Sequence, residues 1–308
     1  KDGQWAANKY GGNENLEAIA FLQKLNEIVF KDYPGALMIA EESSAWPGVT
    51  SPTYSEGLGF NFKWNMGWMN DTLEYMEKDP LFRKGIHDKL TFSIMYTYSE
   101  NYILPLSHDE VVHGKKSLLD KMPGDYWEKF ANLRLLFGYM LAHPGKNLLF
   151  MGGEFGQFIE WDYKKELDWF LLEYEKHKKM SGYVKELNEF YLKEKALWLL
   201  DHKPEGFQWV EADDKDRSII SFLRYPYNQE NHLLVICNFT PVTRENYQVG
   251  IPLNKEYEVV FNSDLKKYGG KGTLNQKLYT PSKKSCNSKP YSLEIDLPPL
   301  SILYLKIN

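Results

Sequence analysis

Cysteine is scarce in this chain of 308 residues, with Cys237 and Cys286 the two present. Two thiols cannot build a disulfide framework, which points to a reducing compartment and a cytoplasmic location. No run approaches the roughly 20 apolar residues of a membrane-spanning helix, so no membrane partner is expected. A basic excess is also missing: 37 Lys and Arg stand against 42 Asp and Glu, for a net charge of -5. Without a block of Lys and Arg interleaved with aromatics, nucleic acid is excluded as a partner. No Cys/His cluster has metal-ligand spacing, and Gly152, Gly153 and Gly156 lack the Lys-Ser/Thr ending of a phosphate loop. Neither a metal nor another cofactor is therefore expected. The chain opens on Lys1-Asp2-Gly3, with no Met and no signal-like apolar stretch, and reads as an internal cut.

Apolar residues are plentiful by contrast. At 43% hydrophobic and 26% charged residues the composition is that of a globular protein with a sizeable core, in one large or two medium domains. Aromatic content of 15%, including nine Trp and 21 Tyr, leans towards a carbohydrate ligand, although large cores absorb aromatics too. Cys237 lies within an apolar strand run and reads as core.

Periodicity divides the chain in two. Residues 15–30 carry a helical apolar stripe with Asn13 or Asn15 as cap, and Pro34-Gly35 ends it before an apolar strand at 36–40. Further strands are expected at 60–64, 103–107 and 148–151, and helices at 70–78, 87–98 and 125–142. A last helical stretch over 167–199 is interrupted near Ser181-Gly182. This alternation is the pattern of a parallel α/β sheet or barrel. From about Asp201 the period changes to two, with strands at 206–211, 218–225, 232–238, 257–262 and 291–297 and a long surface loop over 268–290. The division is therefore an α/β unit over 1–200 and an antiparallel β domain, a sandwich, over 201–308. Some 200 residues hold four β/α units where a complete (β/α)8 barrel of ~250 residues has eight. If the first unit is a barrel, its second half is what is present.

Chemistry gathers at the strand ends. The run Ala36-Leu37-Met38-Ile39-Ala40 stops on Glu41-Glu42-Ser43-Ser44, and Tyr102-Ile103-Leu104-Pro105-Leu106 stops on Ser107-His108-Asp109-Glu110. The run Leu148-Leu149-Phe150-Met151 ends on Gly152-Gly153-Glu154. Barrel enzymes keep their active sites at this end, and glycoside chemistry uses two carboxyls across the scissile bond. Strand-end acids also serve as N-caps of the helices that follow, and each of these sites is open to that reading.

Together with Pro47-Gly48-Val49, Lys63-Trp64-Asn65-Met66-Gly67-Trp68-Met69, the Leu104 to Lys116 run LPLSHDEVVHGKK, Met122-Pro123-Gly124-Asp125, Pro144-Gly145-Lys146 and Phe150-Met151-Gly152-Gly153-Glu154-Phe155, these motifs closely resemble the glycogen (1,4-α-glucan) branching enzymes of the α-amylase superfamily. The resemblance runs along essentially the whole chain. It implies barrel strands five to eight, followed by the all-β C-terminal domain of the superfamily. It also implies that Glu41 is the general acid/base, Asp109 the carboxylate that stabilises the transition state, and His108 the imidazole that bonds sugar hydroxyls. Glu42 is then expected to support the acid, and Trp64, Trp68 or Trp161 to line the substrate groove, with core packing an equal alternative for each tryptophan. The substrate implied is an α-glucan such as glycogen or amylose.

Branching cuts an α-1,4 bond and re-forms it as α-1,6 with retention, which takes two displacements. Glu41 has to start protonated, then act as base on the incoming hydroxyl. The family's nucleophile is an aspartate in a Gly-Phe-Arg-x-Asp type of motif, and no such motif occurs in this chain. The chain alone is thus expected to be inactive, and the exposed edges of a half barrel would favour self-association. The competing readings are an amylase-like hydrolase on the same scaffold and a glucan-binding fragment without turnover.

Overall fold

The computed structural model describes residues 5–308. Its first part runs α1 (Leu16–Asp32), β1 (Ile39–Ala40), β2 (Phe62–Trp64), α2 (Met66–Glu77), α3 (Asp88–Thr91), β3 (Tyr102–Leu106), α4 (Leu118–Lys121), α5 (Tyr126–Ala142), β4 (Lys146–Leu149) and α6 (Glu175–Lys193). The strands form one parallel sheet in the order β1-β2-β3-β4. Asn15 caps α1 through the Ala18 N–H. Asp125 caps α5 in a reciprocal box with Glu128. The α2 cap is Asn65 rather than Asn70 or Asp71, so that helix begins four residues before the expected 70–78.

Other expectations in this part need correction. The helix expected over 87–98 is only the four-residue α3 followed by a 3-10 turn at Phe92–Met95, with another 3-10 turn at Pro80–Ile86 before it. α6 runs unbroken through Ser181-Gly182, because Met180, Tyr183, Val184 and Leu187 form a buried stripe that holds it. β4 lies two residues before the expected 148–151. Gly145, at φ 122°, turns the chain straight into the sheet, and the Phe150 N–H makes a last bond to the Leu106 carbonyl at 2.8 Å.

Strand pairing assigns the two faces of the parallel sheet. Lys63 stands level with Ala40 on one side and Tyr102 on the other, while Trp64 stands level with Ile103. Side chains alternate along a strand. Ala40, Lys63, Tyr102, Leu104, Leu106 and Leu149 therefore share the helix-covered face, and Ile39, Phe62, Trp64, Ile103 and Leu148 share the other. Ile39 and Leu37 remain 42% and 65% exposed.

The second part carries β5 (Phe207–Asp214), β6 (Ile219–Arg224), β7 (Leu233–Asn238), β8 (Arg244–Ile251), β9 (Tyr257–Asn262), β10 (Leu278–Tyr279), β11 (Tyr291–Leu297) and β12 (Ser301–Ile307). They make a six-stranded sheet, β10-β9-β12-β7-β6-β5, and a two-stranded one, β11-β8. β8 and β12 lie outside the expected strands, and β10 lies within the expected 268–290 loop. Leu234, Ile236, Leu303 and Leu305 face the β11-β8 pair and form one core with Val249, Ile251, Leu293 and Ile295. Leu233, Val235, Cys237, Ile302 and Tyr304 face the opposite way and join the larger core around α5 and α6.

That larger core crosses from the α/β part into the β part. Residues 130–142 of α5 are all buried, with the parallel sheet on one side and β12 and β7 on the other. A Cβ at Gly138 would meet Ile302 at 2.5 Å, so glycine is what lets the helix lie this close to β12. Three buried arginines donate across the seam to main-chain oxygens. Arg83 reaches Phe239 O at 2.7 Å, Arg134 reaches Ser263 O at 3.0 Å, and Arg224 reaches Ala142 O at 2.5 Å.

Candidate active site

The Ser107-His108-Asp109-Glu110 strand end divides into two pairs. Ser107 and Glu110 are buried and close a capping box over the 3-10 turn His108–Glu110. The Glu110 carboxylate accepts from the Ser107 N–H at 2.5 Å and from its hydroxyl at 2.7 Å. That box turns His108 and Asp109 outward, where their side chains are 46% and 43% exposed. His108 Nε2 lies 3.3 Å from Asp109 Oδ1. The imidazole packs against Phe150 and Trp161, with centroids at 5.9 and 6.1 Å, and those two rings meet edge to face at 5.1 Å. The Trp161 N–H donates to Val111 O at 2.8 Å, tying the wall to the loop after β3.

Glu41 and Glu42 also separate. By strand alternation Glu41 continues onto the face of Trp64 and Ile103, whereas Glu42 turns to the Lys63 side. Glu41 is exposed, and among the described residues its side chain takes part in no hydrogen bond or ion pair. Glu42 accepts from the Ser44 N–H at 2.7 Å. The Ser44 hydroxyl and N–H, with the Lys63 ammonium beside them, hold its carboxyl below the usual range, so it is ionised at neutral pH and is no proton donor. β1 and β3 flank β2, roughly 10 Å apart at strand spacing, so Glu41 and Asp109 would have to converge over the middle strand.

The tryptophans divide too. Trp64 is half-buried at the end of β2, on the Glu41 face, and Trp161 is half-buried in the wall beside His108. Trp68, open between groove and core on its sequence, is fully buried in the main core. A recess of about 640 Å³ continues from Trp161 along Val112, His113, Ile159, Glu160 and Tyr163. Its rim is fixed by Glu160, which accepts from the Lys116 N–H at 2.7 Å. That contact and the Gly114 N–H hold the Glu160 carboxyl below its usual range.

Two contributors escape sequence reasoning. Phe150 reads as one more apolar strand residue, and nothing in the pattern shows that it leaves the ladder to face His108. Lys63 reads as a strand-surface lysine, yet it is 4% exposed and donates to Ser44 O at 2.9 Å. Among the described residues no helix is long and apolar enough to cross a membrane.

Residues 209–308 match the model of the alpha amylase C-terminal all-beta domain. The 1,4-alpha-glucan branching enzyme of Halothermothrix orenii is 61% identical over 305 residues, 99% of this chain and 48% of that protein. The enzyme of the same name from Aquifex aeolicus is 58% identical over 98% of this chain and 48% of its own length. In fold, the alpha-amylase crystal structure from H. orenii covers 95% of this chain and 57% of its own, with a TM-score of 0.62 at 13% identity. The chain is therefore a relative of the 1,4-alpha-glucan branching enzymes along nearly all its length, corresponding to the C-terminal part of proteins about twice as long.

Proposed function

We propose that this chain is the part of a glucan-branching enzyme that carries the acid/base and the stabilising carboxylate. The identity of 61% over 99% of the chain carries that reading, with Glu41 and Asp109 at the ends of two parallel strands. The four strands, parallel and in sequential order, fit an arc of a (β/α)8 barrel formed by residues 1–200, with 201–308 as the C-terminal all-β domain. On that arc Ile39, Phe62, Trp64 and Ile103 face the barrel lumen, and Glu41 joins them at its mouth.

In the first displacement a carboxylate from another segment attacks the anomeric carbon of an α-1,4-linked glucose. Glu41 gives its proton to the departing O4, so the leaving chain ends as an alcohol and the donor as a glycosyl ester. In the second, Glu41 takes the proton of an acceptor 6-hydroxyl as that oxygen displaces the ester, which restores the carboxylate and forms the α-1,6 branch. Asp109 offsets the positive charge of the oxocarbenium-like transition state, and His108 bonds sugar hydroxyls. The site needs no cofactor for these steps. Trp64 and the Phe150-Trp161 wall offer ring faces to the α-glucan, and Glu42, held ionised, fixes the turn beside the acid.

The test is the full-length protein on amylose. Branching lowers the iodine colour without releasing reducing ends, whereas free maltose would assign the scaffold to an amylase-like hydrolase. Glu41→Gln and Asp109→Asn are each expected to lower kcat by at least about 100-fold, the lower end of what such groups contribute. The 308 residues by themselves hold two of the three carboxylates and are expected to show no turnover. Their open β1 and β4 edges favour self-association, which light scattering reads directly.

A further inference from the structure

We propose that Lys63 is a positioning residue that fixes the direction of Glu41, an inference resting on the reading of Glu41 as the acid/base. With no side-chain partner of its own, Glu41 is aimed by the backbone on either side of it. On the N-terminal side, Ala40 is held level with Lys63 by the β1-β2 ladder. On the C-terminal side the chain winds into a tight turn, in which the Ser44 N–H donates to Glu42 at 2.7 Å and the Trp46 N–H to the Ser44 hydroxyl at 3.2 Å. Lys63 Nζ anchors that turn from outside by donating to Ser44 O at 2.9 Å. The β1-β2 ladder thus fixes the flank before Glu41 and the Lys63 ammonium the flank after it, while the Lys63 N–H goes to Asn101 O at 2.9 Å on the β3 side.

The residue type makes the case stronger. Lys63 is 4% exposed on a strand face shared with Ala40, Tyr102 and Leu104, where leucine or methionine would fill the space without desolvating a charge. Lysine is rarely buried unless something pairs with it, and here the partners are the Ser44 carbonyl and the nearby Glu42 carboxylate. The far end of the same segment is pinned separately. The Glu100 carboxylate accepts from the Val49 N–H at 2.9 Å, the Thr50 N–H at 2.7 Å and the Thr50 hydroxyl at 2.5 Å. Slack introduced by losing Lys63 is therefore confined to residues 41–48, the stretch that holds Glu41. A displacement of about 1 Å at a catalytic group can lower the rate by ~100-fold.

The experiment compares Lys63→Met, Lys63→Arg and Glu41→Gln in the full-length protein, reading kcat and KM on amylose and the thermal melt of each. Lys63→Met is expected to lower kcat by about 10- to 100-fold with KM within about threefold, and Lys63→Arg, which can still donate to Ser44 O, to recover most of that loss. A wild-type kcat in Lys63→Met overturns the proposal, as does an arginine variant as impaired as the methionine one. If Lys63→Met shows no cooperative melt, Lys63→Leu, which likewise lacks a donor for Ser44 O, takes its place and is judged the same way. Activity surviving in Glu41→Gln removes the acid/base reading itself. An inactive Glu41→Gln beside an unaffected Lys63→Met removes the positioning role alone.

Discussion

At the Ser107-His108-Asp109-Glu110 corner two neighbouring acids have opposite fates, and burial decides which is which. Glu110 accepts two hydrogen bonds from Ser107 in a dry site, so Glu110→Ala leaves the Ser107 N–H and hydroxyl without an acceptor. A loss of about 1–3 kcal/mol in a denaturant titration is the expected result. Asp109, half exposed beside His108, is free to meet a ligand. Residue types leave capping and chemistry open at this corner, and the structure shows the capping, through Ser107 and Glu110. Glu41 and Glu42 are adjacent in the same way, and strand alternation sends them to opposite faces. The acids at the strand ends were legible from residue types and spacing, but which of each pair is buried or turned aside was not. The His108-Phe150-Trp161 wall was not, because it needs a loop some fifty residues downstream to fold back over the strand end.

α5 lies in the larger core, with its residues 130–142 all buried. Its start was readable from Asp125 and Glu128, but a helix buried on all sides shows no polar face, so its pattern says nothing about what packs against it. β7 and β12 pose the same difficulty, being apolar on both faces because each serves two cores. β12 went unread, whereas β7 lies within the expected 232–238 strand. Arg224 is the clearest anchor of α5. It gives its guanidinium protons to Gly206 O at 3.1 Å, Ala142 O at 2.5 Å and Leu197 O at 3.0 Å, and so neutralises the negative end of the helix. Burial pushes that guanidinium below its ordinary pKa. Arg224→Met would fill the space but strand three buried oxygens, and is expected to destabilise the protein by at least ~3 kcal/mol in urea melts.

Across the whole molecule, stability should fall on the acid side. His87, His143, His177 and His232 are all pushed below their ordinary value of 6.5, chiefly by burial, His143 to about 3. Each is neutral in the folded state, whereas the unfolded chain takes up its proton as the pH drops below 6.5. The unfolded state then binds more protons, so stability present above 6.5 is lost progressively below it, down to about 3 for His143. Each such histidine adds a slope of up to ~1.4 kcal/mol per pH unit. Urea midpoints measured from about pH 7.5 to about pH 5 should decline, and His143→Gln should decline less steeply. β12 adds a constraint of timing. It runs from Ser301 to Ile307, yet it lies between β9 and β7 and borders them both. While a ribosome is still making the stretch that precedes it, β7 and β9 have open edges and α5 lacks the strand its glycine was shaped to meet. The sheet can close only after residue 307 has emerged, so a nascent chain stalled a few residues short would be a substrate for chaperones rather than a slightly shortened fold.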